Sequence, residues 1–155
     1  MQRRQFLKRT LAGSAVTVAV AAGLLSPRRV LAAWPTAAFE AKSINEALGG
    51  LFGHATTLDS NDIEIKAPDI AENGAAVPVS VTTKIAGVTA IAILTSTNNT
   101  PLAANFAFGQ SVKGSVSTRI KMAATADVVA IVKAGNMMYT NKKNVKVTIG
   151  GCGGG

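Results

Sequence analysis

Cys152 is the only cysteine of the 155-residue chain, and its side chain is the one best suited to covalent chemistry. Glycines surround it on both sides: Gly150, Gly151, Gly153, Gly154 and Gly155. Glycine has no side chain to pack against a thiol and has the greatest backbone freedom, so this stretch predicts an exposed thiol on a flexible arm over residues 150–155. A thiolate is a nucleophile that forms reversible S–S bonds, and an extended arm of six residues spans about 20 Å. The sequence therefore predicts that Cys152 can enter the pockets of other proteins.

The rest of the chain predicts no catalytic or metal-binding group and no cofactor. With His54 as the single histidine, a zinc or copper site of several imidazoles cannot be built, and its position after Gly53 favours a helix-end or surface role. There is no C-x-x-C-H haem motif and no phosphate-binding glycine loop. A loose acidic group has only a weak claim to a metal ion: Asp59, Asp62, Glu64 and Asp69. The expected site is therefore Cys152 alone, as an attachment point and not as a catalytic residue.

The first 32 residues predict a cleaved export signal. A basic head containing "RRQFLK" (residues 3–8) precedes an Ala- and Gly-rich apolar segment, and small residues follow at "VLA" (30–32). The adjacent Arg3 and Arg4 resemble a twin-arginine signal, which carries folded proteins across the bacterial inner membrane. The apolar segment, 10–25, is shorter than the roughly 20 residues that span a bilayer. We expect cleavage after Ala32, or alternatively after Ala33, and a periplasmic mature protein with no membrane attachment.

The strongly basic character of the chain belongs to this signal. Six of the sixteen Lys and Arg residues lie in the first 29 positions, which leaves ten against all eight Asp and Glu. The net charge therefore falls from +8 for the whole chain to +2 after cleavage. A charge this small removes the argument for a nucleic-acid partner.

Residues 33–149 predict one all-β domain with a short helix at its N-terminal end. Ile44, Leu48 and Leu51 have the spacing of one helical face, and Ser43 with Glu46 has the spacing of a capping box. Alternating apolar residues then predict seven strands, at 63–67, 76–83, 88–96, 102–110, 114–122, 126–134 and 144–150. The sequence between the last two, including "TNKKN", has the composition of turns. No helices alternate with these strands, so we expect an antiparallel β-sandwich of the immunoglobulin-like type.

The predicted core consists of Val, Ile and Ala, because aromatic residues make up only 5% of the chain. The disulfide typical of many immunoglobulin-like domains cannot form, since Cys152 has no second cysteine to pair with. A core of small residues without a disulfide favours association with a second subunit.

The C-terminal stretch "VKVTIGGCGGG" (145–155) resembles the C-terminus of the SoxY family, the sulfur carriers of the periplasmic thiosulfate-oxidising system. That family combines a twin-arginine signal, an immunoglobulin-like domain and a Gly-Gly-Cys-Gly-Gly arm, so the resemblance covers the whole chain. One departure is Gly155, a third glycine after the cysteine where the family usually has two. This extra residue could alter the fit of the arm into a partner's pocket.

The resemblance implies a covalent carrier and not an enzyme. In the family, a c-type haem enzyme conjugates thiosulfate oxidatively to the cysteine and gives a cysteine S-thiosulfonate. A dimanganese hydrolase releases the sulfone as sulfate, and a molybdenum–haem sulfane dehydrogenase oxidises the remaining sulfur in systems that have it. The carrier works as a heterodimer with SoxZ, which lacks a signal of its own, and this explains export in the folded state.

Two alternatives belong to other classes of function. The first is a periplasmic β-sandwich that serves as a structural or adhesion subunit with a redox-active terminal thiol. The second is a redox or persulfide-handling enzyme with Cys152 as its nucleophile, which would require cationic or amide groups fixed around the sulfur. Sulfur adducts without turnover by the isolated protein would distinguish the carrier from both.

Overall fold

The structure is a computed structural model that describes residues 35–109 and 113–149. Within these ranges two short helices come first, α1 (Thr36–Glu40) and α2 (Ile44–Phe52). Nine strands follow: β1 (Leu58–Asp59), β2 (Ile63–Lys66), β3 (Ile70–Ala71), β4 (Val77–Thr83), β5 (Val88–Thr95), β6 (Leu102–Ala107), β7 (Ser115–Ile120), β8 (Ala126–Ala134) and β9 (Met137–Val147).

Capping residues determine both ends of helix α2. Ser43 is the N-cap residue, and its Oγ accepts a hydrogen bond of 3.2 Å from the backbone N–H of Glu46. The Glu46 carboxylate in turn accepts from the N–H of Lys42 at 3.0 Å, so two of the otherwise unpaired donors at the helix start are satisfied. Gly53 ends the helix with a φ of +83°, a conformation that a residue with a side chain resists.

The strands form two sheets. The larger sheet has the order β1-β9-β8-β5-β6, with β3 also paired to β9, and the smaller sheet has the order β2-β4-β7. Neighbouring strands are antiparallel, except that the two-residue strands β1 and β3 run parallel to β9 along its outer edge. Strand β9 is thus held by β8 on one side and by β1 and β3 on the other.

The larger sheet is buried on both faces. Ile91 and Ile93 of β5 point into a core between the two sheets, together with the valines of β4 and β8. Ala92 and Leu94 point to the opposite face, where they pack under α1 and α2. The domain therefore has three layers, helices on a large sheet on a small sheet, and this explains the unbroken apolar run of β5.

The predicted all-β sandwich with a short helix is confirmed, and six of the seven predicted strands lie within a few residues of their predicted positions. The seventh was wrong in its extent. The sequence 144–150 was predicted as the strand and "TNKKN" as a turn, whereas β9 is an eleven-residue strand that runs through this polar stretch. It begins directly after the two-residue turn Gly135–Asn136, in which Gly135 has a φ of +58°.

Candidate functional site

The predicted attachment point Cys152 lies outside the described residues. The same is true of the glycines of the predicted arm, Gly150, Gly151, Gly153, Gly154 and Gly155, and of Arg3 and Arg4 in the predicted signal. What the structure does describe is the segment that leads into the arm. We call residues 146–149 the arm root, because they directly precede Gly150.

Strand β9 leads into the arm root, and two of its polar side chains bind backbone carbonyls in and just after β2. The amide of Asn141 donates to the backbone carbonyl of Ile63 at 2.6 Å. The Lys143 ammonium donates to the carbonyl of Ala67 at 2.7 Å and pairs with the Asp69 carboxylate at 3.0 Å. These contacts join β9 to β2 and to the residues after it, across the interface between the two sheets. Both lysine and asparagine side chains thus give a backbone carbonyl a hydrogen-bond donor.

Further along, the hydrogen-bonded ladder between β8 and β9 ends at the pair Ala126 and Val145. Val145 is fully buried, and it is the last β9 residue in that state. The arm root therefore extends past the end of β8, and its backbone needs hydrogen-bond partners other than β8.

The segment 69–75 and the side chain of Thr125 provide those partners; together we call them the root clamp. On one side of the arm root, the N–H of Lys146 donates to the carbonyl of Asp69 at 3.0 Å, and that of Thr148 donates to the carbonyl of Ala71 at 3.1 Å. On the other side, the N–H of Val147 donates to Thr125 Oγ1 at 2.9 Å.

Two further bonds hold the last residues of the arm root. The hydroxyl of Thr148 donates to the carbonyl of Glu72 at 2.8 Å. The N–H of Gly74 donates to the carbonyl of Ile149 at 2.7 Å, one residue before the glycines begin. The backbone is thus bonded through Ile149, while the Ile149 side chain is 68% exposed.

The other candidates from the sequence do not form a site. His54 is exposed, directly after the C-terminal Gly53 of α2, as predicted. In the acidic group, Asp69 pairs with Lys143 and Glu64 pairs with Lys66 at 3.5 Å. No group of three or more His, Cys, Asp or Glu side chains in the described part of the chain is placed to hold a metal ion. Among these same residues, no helix is long and apolar enough to span a bilayer.

Sequence reasoning missed the root clamp. The turn signal "ENGA" (72–75) predicted only that the chain reverses there, and nothing in it indicated that Gly74 bonds to Ile149. Two-residue parallel pairings such as β3 with β9 are too short to leave a periodic pattern. A hydroxyl residue just before the glycines, Thr148, was the one available signal.

Residues 49–152 match the family described as sulfur oxidation protein SoxY, a range that includes Cys152. The chain belongs to the SoxY family. A solved structure of the sulfur carrier protein SoxY from Chlorobium limicola f thiosulfatophilum is 44% identical, with a TM-score of 0.63 over 71% of this chain and 96% of that one. A second structure, from work on T cell activation by toxic shock syndrome toxin-1, is 11% identical with a TM-score of 0.40, covering 55% of this chain and 98% of that one. No curated protein matches the chain.

Membership of the SoxY family agrees with the expected resemblance and with the all-β fold. Because the matched range runs through the arm root to Cys152, the relationship covers the segment that the sequence singled out for chemistry. The match to the SoxY structure at 44% identity also covers almost the full length of that protein, so the two chains share the domain as a whole.

Proposed function

We propose that this chain is the sulfur carrier of a thiosulfate-oxidising system and that Cys152 holds the sulfur covalently. The observation that carries the proposal is the SoxY match through residue 152, which ends on the only thiol in the chain. The similar SoxY structure from Chlorobium is that of a sulfur carrier protein. Both points favour a carrier over the structural or adhesion subunit that the sequence left open.

The chemistry begins with an oxidative conjugation. The Cys152 thiol and the outer sulfur of thiosulfate form an S–S bond, the thiol proton goes to solvent, and two electrons pass to a c-type haem enzyme. The product is a cysteine S-thiosulfonate. In the next step a dimanganese hydrolase adds water across the bond between the outer sulfur and the sulfone, which releases sulfate and leaves a persulfide on Cys152. A molybdenum–haem sulfane dehydrogenase, where the system has one, oxidises that remaining sulfur.

The described contacts support a fixed body with a short arm. Hydrogen bonds hold the backbone through Ile149, and the proposed arm begins at Gly150. Cys152 is the third residue after Ile149, a distance of about 10 Å when the chain is extended. The thiol would stay close to the body while it enters one enzyme pocket after another, so each intermediate remains tethered between steps.

A SoxZ-type subunit is the proposed constant partner, in a heterodimer. The core supports this proposal because it is built from aliphatic residues and methionines, with no buried aromatic side chain in the described residues. Coexpression should give a 1:1 complex on a sizing column and a higher melting temperature than the isolated chain has. A monomer whose melting temperature does not change with the partner present would contradict the heterodimer.

The carrier is proposed to work in the periplasm after twin-arginine export. "RRQFLK" and "VLA" support this location, and a partner without a signal would have to cross the membrane already bound to the folded carrier.

The deciding experiment compares thiosulfate oxidation by the reconstituted system with three forms of the carrier. Cys152→Ser should abolish oxidation and remove every sulfur adduct. In a matched control, Cys152→Ser is combined with Ser117→Cys, which places a thiol on the exposed face of β7. That thiol is accessible but has no arm, so it should not restore oxidation. Activity of Cys152→Ser would rule out the proposal, and turnover by the isolated wild-type chain would favour the enzyme alternative.

A further inference from the structure

The arm root lies past the end of the β8–β9 ladder, yet hydrogen bonds hold its backbone as far as Ile149. We propose that the root clamp, residues 69–75 with Thr125, fixes the origin of the arm and thereby limits how far Cys152 can travel. This inference rests on the proposed carrier function. It assigns a positioning role to Thr125 and Thr148.

Hydrogen bonds hold most of the arm root in place, and of its four side chains only that of Val147 packs against the core. Lys146, Thr148 and Ile149 are exposed, and Val147 is half-buried. The root clamp itself is fixed to the rest of the domain: the N–H of Met122 donates to the carbonyl of Gly74 at 2.8 Å. An exposed segment without such partners would separate readily from the sheet.

The clamp determines the length of the tether. With the clamp intact, Cys152 is the third residue after the last fixed residue, Ile149, and three residue steps correspond to about 10 Å. If the arm root were released, the last fixed residue would be Val145, and seven residues would correspond to about 24 Å. The effective concentration of a tethered group falls as about the −3/2 power of tether length, so release should lower it roughly three- to fourfold.

Two substitutions test the clamp while they retain side-chain shape. Thr148→Val removes the bond to the carbonyl of Glu72, and Thr125→Val removes the acceptor for the N–H of Val147. The matched control is Thr82→Val, which removes a side-chain hydrogen bond of 3.3 Å to Ser115. Thr82 lies near the C-terminal end of β4. It is six residues after Ala76, the first residue beyond the clamp segment.

An insertion provides a second test that leaves every clamp contact in place. Four glycines inserted between Ile149 and Gly150 lengthen the arm by as many residues as release of the arm root would. If tether length is what the clamp controls, this insertion and the Thr125→Val/Thr148→Val double variant should change the same measurements in the same direction. The double variant should have the smaller effect, because the backbone bonds of the clamp remain.

The first measurement is the distance distribution between two spin labels, one on Cys152 and one on Ser117→Cys. Its upper limit should increase by up to about 14 Å in the insertion and by a smaller amount in the double variant, which keeps the backbone bonds of the clamp, and should not change in Thr82→Val. A double variant that stays folded but shows the wild-type distribution would overturn the positioning role of Thr125 and Thr148, and an insertion with the wild-type distribution would overturn the clamp as the control of tether length. This measurement involves no sulfur chemistry, so its result does not depend on the carrier function.

The second measurement is the kinetics of thiosulfate conjugation by the haem enzyme. The KM for the carrier should rise about three- to fourfold in the insertion and by less in the double variant, with kcat unchanged in both. A purely structural role of Thr148 would lower the melting temperature of the double variant and leave the KM of the insertion unchanged, which would overturn the inference. Absence of conjugation in the wild type, with the expected distances, would instead contradict the proposed function alone.

Discussion

Lys142 and Lys143 are neighbours on β9, and we predict that replacement by Met destabilises the domain only at Lys143. The Lys143 ammonium lies 2.7 Å from the carbonyl of Ala67 and 3.0 Å from the Asp69 carboxylate, and its side chain is one-third exposed. Lys142 is on the opposite face of the strand and is exposed. If "TNKKN" were a turn, the two lysines would be in similar surroundings.

The size of the effect follows from the two contacts. A hydrogen bond from a charged donor contributes about 1.5 to 3 kcal/mol. The ion pair adds about 0 to 1 kcal/mol, because the Asp69 side chain is 89% exposed and solvent screens the interaction. Methionine retains most of the apolar stem of lysine, so little packing is lost. We expect Lys143→Met to lower the free energy of unfolding by about 2 kcal/mol, or the melting temperature by roughly 8 °C.

The assay is urea and thermal unfolding, followed by circular dichroism, of Lys143→Met, Lys142→Met and Asp69→Asn. Lys142→Met should stay within about 0.5 kcal/mol of wild type. Asp69→Asn should cost less than about 1 kcal/mol, because it removes the ion pair and keeps the bond to the Ala67 carbonyl. Equal destabilisation by the two lysine variants would refute the register of β9. An Asp69→Asn variant as unstable as Lys143→Met would refute the assignment of the energy to the carbonyl.

Three further predictions concern the core, export and the arm. Ile93→Ala should lower the free energy of unfolding by about 2 to 5 kcal/mol in a urea titration, because Ile93 is fully buried between the sheets. Arg3 and Arg4 changed together to Lys should leave the precursor in the cytoplasm on cell fractionation; normal periplasmic accumulation would contradict twin-arginine export. Gly150 and Gly151 changed to Pro should leave the fold and the alkylation of the thiol unchanged while at least one sulfur-transfer step fails, and wild-type oxidation with every partner would show that flexibility is not the purpose of the glycines.

Local sequence patterns predicted those helices and strands that depend mainly on residues close to one another in sequence. The capping box of α2 and the alternation of β8 could be predicted because Ser43, Glu46 and the β8 valines act through neighbours along the chain or through a single buried face. Strand β9 could not be predicted in full. Its polar residues Asn141 and Lys143 point inward, where they bind carbonyl groups 76 to 78 residues away in sequence. No period-two rule anticipates inward-facing polar residues of this kind.

The candidate site likewise has one part that the sequence predicted and one part that it did not. Cys152 and its glycines stood out because their composition is so unlike that of a packed segment, and the range matched to SoxY ends at Cys152. The clamp on the arm root depends on contacts between Thr148 and residues more than 70 positions earlier, such as Glu72. Such contacts follow from topology, and the hydroxyl residue Thr148 was their only sign in the sequence.

The central claim is that Cys152 carries sulfur covalently, and the most direct test is the intact mass of the mature chain purified from its own periplasm. The account predicts a mass increase equal to one thiosulfate unit or one sulfur atom, located on the C-terminal peptide and removed by reductant. Unmodified protein alone, from cells that are oxidising thiosulfate, would contradict the account.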